Sequence, residues 1–163
     1  MSFRDIAESE IGREYDNFTH PPVTAEQLIR YARTLRVDDP NYTDEQAAAS
    51  GPHGGLIAFP TYIVKLRGEH HLPPVVVEQM DENTFDGGKD IELGVPVRPG
   101  DEITTTSQIT QLYEKTGRSG SMFFVIFRNE LVNQRGEMVA RVDCRSLQKL
   151  PLPDAPVQDG GQA

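Results

Sequence analysis

The stretch Val37-Asp38-Asp39-Pro40-Asn41-Tyr42 places two carboxylates, an amide and a phenol in one short segment of chain. Carboxylates and phenols are groups that move protons in general acid–base catalysis. The plainer reading is a polar turn that caps the next helix, because Asp and Asn bond readily to nearby backbone N–H groups. His53 offers an imidazole beside Gly54 and Gly55, where backbone N–H groups are open to close approach. Those two glycines equally suit a tight helix entrance. The His70–His71 pair stands in a proline-bounded loop and reads as a solvated turn, and His20, ahead of two prolines, carries no signal. Arg98, in VRPGDE, is either a charged strand end or a phosphate contact.

Elements must position these groups. Thr24 and Gln27 form a capping box, and Leu28, Ile29, Ala32 and Leu35 then fall on one face, which predicts an amphipathic helix over 24–35. A second box, Thr43 with Gln46, predicts a short helix through Ala49 that Gly51 ends. The Val37–Tyr42 segment is the loop between the two. Pro60 suits a first helical turn, and Ile63, Val64 and Leu66 give an apolar face before Gly68, so a central helix is expected there. From Val75 onward the chain is rich in Val, Ile, Thr and Phe, and reads as strands in VVVEQMDENTF, KDIELGVPV and three longer runs. Phe123, Phe124 and Phe127 read as strand core. FDGGK, RPGD, KTGRSG and NQRGE carry the turn chemistry between the strands. Helices followed by four or five antiparallel strands imply an α+β fold, a sheet wrapped round one helix.

Size and charge narrow the possibilities. The 163 residues suit one domain, expected over 1–150, with a Pro/Gly/Gln-rich disordered tail over 151–163. A net charge of −9 argues against a nucleic-acid surface, since phosphate neutralisation needs clustered cations. Local cations such as Arg98, Lys115 and Arg118 still allow a phosphorylated small ligand. A single cysteine, Cys144, excludes an internal disulfide and a Cys-based zinc site, no metal site is expected, and the strand-like surroundings of Cys144 predict a buried structural thiol. The charged N-terminal segment lacks an apolar signal region, and no apolar run reaches membrane-spanning length. A soluble, cytoplasmic protein is expected.

The order of motifs, VDDPNYTDEQAA, then GGLIAFPT, then GGKDIELGVPVRPGDEI and a strand pair joined by EKTGRSGSMFFV, resembles the MaoC-like dehydratases of the hotdog fold, in their N-terminal, FAS1-type dehydratase branch. The resemblance covers roughly residues 5 to 148. It implies a hotdog domain and a reaction on an acyl thioester, hydration of a trans-2-enoyl group or dehydration of an (R)-3-hydroxyacyl group. The substrate carrier would be coenzyme A or acyl carrier protein, with no cofactor. Such chemistry needs an acid–base pair at the α-carbon and hydroxyl, and an N–H donor to the thioester carbonyl.

Active members of that family carry a loop D-x-N-P-[LI]-H, whose Asp and His transfer the protons. With Pro40 on the family proline, the Asp position falls on Val37, the Asn position on Asp39 and the His position on Tyr42. Valine accepts no proton, and a phenol, ionising near pH ~10 in water, is a poor base at neutral pH. The family continues as I-A-H-G, with the glycine N–H aimed at the thioester oxygen, where this chain reads Ile57, Ala58, Phe59, Pro60. Proline has no N–H to give. The resemblance therefore implies an emptied site whose remaining residues, Asp39, Asn41, Tyr42, Gly54, Gly55, Phe59 and Arg98, line a substrate tunnel. A separate MaoC-like catalytic subunit would then supply the acid–base pair, as a heterodimer or dimer of heterodimers. The alternatives are a self-sufficient homodimeric hydratase or thioesterase using Asp39, His53 or another residue, and a non-enzymatic acyl-thioester-binding or purely structural module.

Overall fold

The computed structural model describes residues 3–80, 84–117 and 120–150. The tail expected over 151–163 and Arg118 lie outside them. Five strands form one antiparallel sheet in the order β1-β3-β4-β5-β2: β1 Glu14–Thr19, β2 Thr84–Leu93, β3 Ile103–Gly117, β4 Gly120–Asn133 and β5 Met138–Leu150. Helices α1 (Phe3–Ser9), α2 (Ala25–Thr34), α3 (Pro40–Thr43), α4 (Glu45–Ala49) and α5 (Pro74–Val77), with a 3-10 helix at Pro60–Lys65, make up the rest. The α+β expectation holds.

Alternation builds the core. Ile103, Thr105, Ser107 and Ile109 on β3, Phe123, Val125, Phe127 and Leu131 on β4, and Val142 and Cys144 on β5 are all buried. Leu28, Tyr62, Ile63, Leu66, Leu72 and Val76 close over them from the helical side. Phe124 belongs to the opposite face, half-buried and stacked on Tyr113 at 4.5 Å, so the phenylalanine run is core at Phe123 and Phe127 only. On the partly exposed positions Arg128 pairs with Asp143, Arg141 with Glu130 and Glu92, and Arg145 with Asp90. These cross-strand pairs fix register more than they add stability.

The capping box of Thr24 and Gln27 is present, and α2 follows it. The second expected box is not. Asp44, one residue later, caps α4 by accepting from Ala47 N at 3.0 Å, while Thr43 donates to the Asp39 carbonyl.

The expected central helix is shortened. Tyr62 N bonds to Phe59 O and Leu66 N to Ile63 O, an i+3 pattern that ends before Gly68. The backbone then passes so close to β1 that a Cβ on Gly68 would overlap the Asp16 carboxylate, which accepts His70 N at 2.8 Å. This contact takes the chain out of the helical path.

Two further expectations change. Val75–Val77 lie in α5 rather than in a strand, because Pro74 opens a helical turn and Val76 is fully buried beneath it, which overrides β propensity. FDGGK is not a turn between strands but a bulge inside β2, where pairing shifts between Asp86 and Lys89. A Cβ on Gly87 would overlap Leu147, and Gly88 has φ 91°, so both glycines are required there. Helix α1 and strand β1 carried no sequence signal that set them apart from a charged N-terminal segment.

β2 lies at the sheet edge, with Phe85 52% exposed, Ile91 43% and Leu93 52%. Among the described residues no helix is long and apolar enough to cross a membrane.

Candidate active-site loop

Pro40 starts α3, and the carboxylate of Asp39 caps it, accepting from Asn41 N at 2.9 Å and from Asn41 Nδ2 at 2.8 Å. Both bonds fall on Oδ1, which fixes that carboxylate in the turn. Val37 is half-buried and donates its N–H to Ala32 O at 3.1 Å, closing the end of α2. Its isopropyl group offers no lone pair to a substrate.

Tyr42 turns inward instead. Its ring meets that of Phe59 edge to face, with centroids 5.3 Å apart. The two positions where the resemblance places histidines, one in the loop and one before the central helix, thus hold two aromatic rings packed on each other. The contact joins residues far apart in sequence, and it seals the loop against the start of the 3-10 helix. Beneath it Tyr62 is buried, and that burial holds its phenol above the ordinary tyrosine value, with Arg30 opposing the shift.

Two backbone donors just before Phe59 are committed as well. Ile57 N bonds to Asn41 O at 3.2 Å and Ala58 N to Val97 O at 2.8 Å. Pro60 opens the helix without an N–H. Asn41 therefore serves through its carbonyl as well as its side chain, and it crowds Gly51, where a Cβ would fall 2.5 Å from Asn41 Oδ1.

Arg98 joins the same region. Its Nη2 donates to His53 O at 2.8 Å, and a Cβ on Gly55 would stand 3.6 Å from its Nη1. Gly54 and Gly55 have φ of 63° and 151°, so they form the tight turn foreseen for them. Arg98 is held in turn by Asp101, whose carboxylate accepts Arg98 N at 2.8 Å and pairs with Arg135 at 2.8 Å. Asp101 is buried and is the residue that sequence reasoning passed over, although the RPGD turn contains it. The loop candidates Asp39, Asn41, Tyr42 and Phe59 are thus linked to one another, and His53, Gly55 and Arg98 form an adjoining group. The His53 side chain itself is exposed, and among the described residues no bond, ion pair or ring contact joins it to Asp39.

The histidine pair is less simple than a solvated turn. His71 keeps an accessible edge but packs its ring on Phe127, with centroids 4.6 Å apart. Tyr15 Oη donates to its carbonyl at 3.2 Å.

The UPF0336 protein of Streptomyces coelicolor is 26% identical over 137 residues, covering 82% of this chain and 89% of that protein. The crystal structure of the MaoC-like dehydratase from Rhodospirillum rubrum superposes with a TM-score of 0.68 at 23% identity, covering 93% of this chain and 99% of the other. The ChsH1-ChsH2 complex from Mycobacterium tuberculosis contributes a chain with a TM-score of 0.77 at 15% identity, covering 94% of each. These likenesses place the sheet and its helical layer in the hotdog fold. The family model of the FAS1-like dehydratase domain region matches residues 9–142, and the chain belongs to that family.

Proposed function

We propose that this chain is the non-catalytic, substrate-binding subunit of a heteromeric (R)-specific enoyl-CoA hydratase or 3-hydroxyacyl-thioester dehydratase. A second MaoC-like chain supplies the acid–base pair that adds water across the 2,3 double bond, oxygen to the β-carbon and a proton to the α-carbon. The observation that carries this reading is the commitment of the loop to structure: Asp39 caps α3, Tyr42 packs on Phe59, and Pro60 has no N–H. The free edge of β2, with Phe85, Ile91 and Leu93 in solvent, supports a second hotdog chain as the partner, because an unpaired apolar edge is completed by another strand. The ChsH1-ChsH2 structure is itself a complex of two named chains.

The test is to isolate the complex that the full chain forms in its own cell extract and assay it with trans-2-enoyl thioesters. The complex should hydrate them, and removing the partner's Asp or His should abolish turnover. Tyr42→Phe in this chain, which keeps the ring packing and removes the hydroxyl, should leave the rate unchanged. An inactive complex, or a rate that depends on the Tyr42 hydroxyl, would refute the assignment.

A further inference from the structure

A cavity of about 150 Å3 opens between the C-terminal end of the 3-10 helix and the inner face of the sheet. It lies away from the Val37–Tyr42 loop, which meets the opposite end of that helix through Phe59. The floor is apolar and buried: Phe127, Leu131, Val142 and Cys144 from the sheet, with Ile63 and Leu66 above. The mouth is charged, with Arg67, His71, Asp86 and Lys89 around it.

The polar groups at this mouth are unequally satisfied. Asp86 accepts from Lys89 Nζ and from Gly88 N, both at 2.8 Å, so its carboxylate is already paired. Asn129 accepts from Ser107 Oγ at 2.8 Å through Oδ1, which leaves its Nδ2 as a donor on the cavity wall. Arg67 has no carboxylate partner among the described residues. By contrast, Arg128, Arg135, Arg141 and Arg145 are all ion-paired. Partial burial holds His71 below the ordinary histidine value, and Arg67 and Lys89 push it the same way. Arg67, Lys89 and the His71 imidazole line the same opening. Asp86 and Lys89 cancel, the Asp16 carboxylate stands nearby against Gly68 and His70, and Arg67 is the cation at this mouth that has no ion pair among the described residues.

A cavity near 150 Å3 with apolar walls is of the size that takes up a benzene ring. A guanidinium at its mouth offers the paired donors that a carboxylate accepts best. We propose that this cavity binds a compact apolar carboxylate, its ring or branched body on Phe127, Leu131 and Val142 and its carboxylate on Arg67 and Asn129 Nδ2. The proposal is independent of the subunit role given to the loop.

Benzoate and benzyl alcohol, which share a body and differ in charge, are the probes for calorimetric titration of the full chain. Benzoate should bind saturably and about tenfold more tightly than the alcohol. Arg67→Gln should remove most of that advantage and leave the alcohol unaffected. Asp86→Asn should tighten benzoate, because it removes a neighbouring negative charge and frees Lys89. Val142→Phe should fill the floor and abolish both, with circular dichroism as the check on folding. If the last variant does not fold, the two charge variants decide. Benzoate binding no tighter than benzyl alcohol, no binding at all, insensitivity to Arg67→Gln, or weaker binding in Asp86→Asn would each overturn the proposal.

Discussion

Asp39 separates a structural from a catalytic loop more cleanly than any other side chain. Its carboxylate caps α3, so Asp39→Ala should cost about 1 kcal/mol in urea unfolding, the usual loss for a removed N-cap. The turnover of the assembled complex should be unchanged once the variant is folded. A large loss of rate with no loss of stability would return Asp39 to the chemistry. Two histidines give a second prediction. Partial burial holds His20 and His71 below the ordinary value, so the unfolded chain takes up their protons first as pH falls. Their contribution is intact above about pH 6.5 and is lost as pH drops through the folded values. The urea midpoint should fall between about pH 7.5 and 5.5, and a His20→Gln, His71→Gln double variant should flatten that fall. The depressed carboxylates Asp86 and Asp143 act at lower pH and leave this window to the imidazoles. In the sequence, the capping role of Asp39 was legible because an Asx turn is local. The Tyr42–Phe59 contact was not, because ring packing across the chain leaves no trace in spacing.

At the scale of elements, local chemistry and tertiary contact divide the outcome. The Thr24–Gln27 box was readable because both partners lie within one helical turn. Asp44 displaced Thr43 as the next cap because two capping residues stand side by side and only geometry chooses between them. The end of the central helix depended on Asp16 pressing against Gly68, a contact between distant segments. Val75–Val77 had β propensity, yet burial of Val76 under a proline-initiated turn decided their state. Strands β3, β4 and β5 were legible throughout, since alternation and turn residues agree there. In the proposed heteromer the edge strand β2 is the element expected to meet the second chain. Ile91→Lys with Leu93→Lys places charges on an exposed edge, so the isolated chain should keep its stability within about 0.5 kcal/mol. The same variant should no longer copurify with the proposed second subunit, because charged edge strands resist pairing. Retention of the partner would move the interface elsewhere on the chain.

The whole molecule is a hotdog unit whose sheet ends in two edge strands, the short polar β1 and the more apolar β2, and whose Val37–Tyr42 loop is occupied by its own packing. The fold was legible because the order of several motifs survives, whereas the emptied site stays a proposal that rests on the resemblance placing other residue types at Val37, Tyr42 and Pro60. The cavity beneath the 3-10 helix was not, because Arg67, Asp86, Asn129 and Cys144 meet only after β2, β4 and β5 pair. The most direct measurement is the rate at which the purified full chain, alone and confirmed folded, hydrates trans-2-enoyl thioesters of several lengths. The emptied loop predicts no turnover above the uncatalysed background at any chain length. Sustained turnover by the chain alone, abolished by Asp39→Ala or His53→Ala, would contradict it.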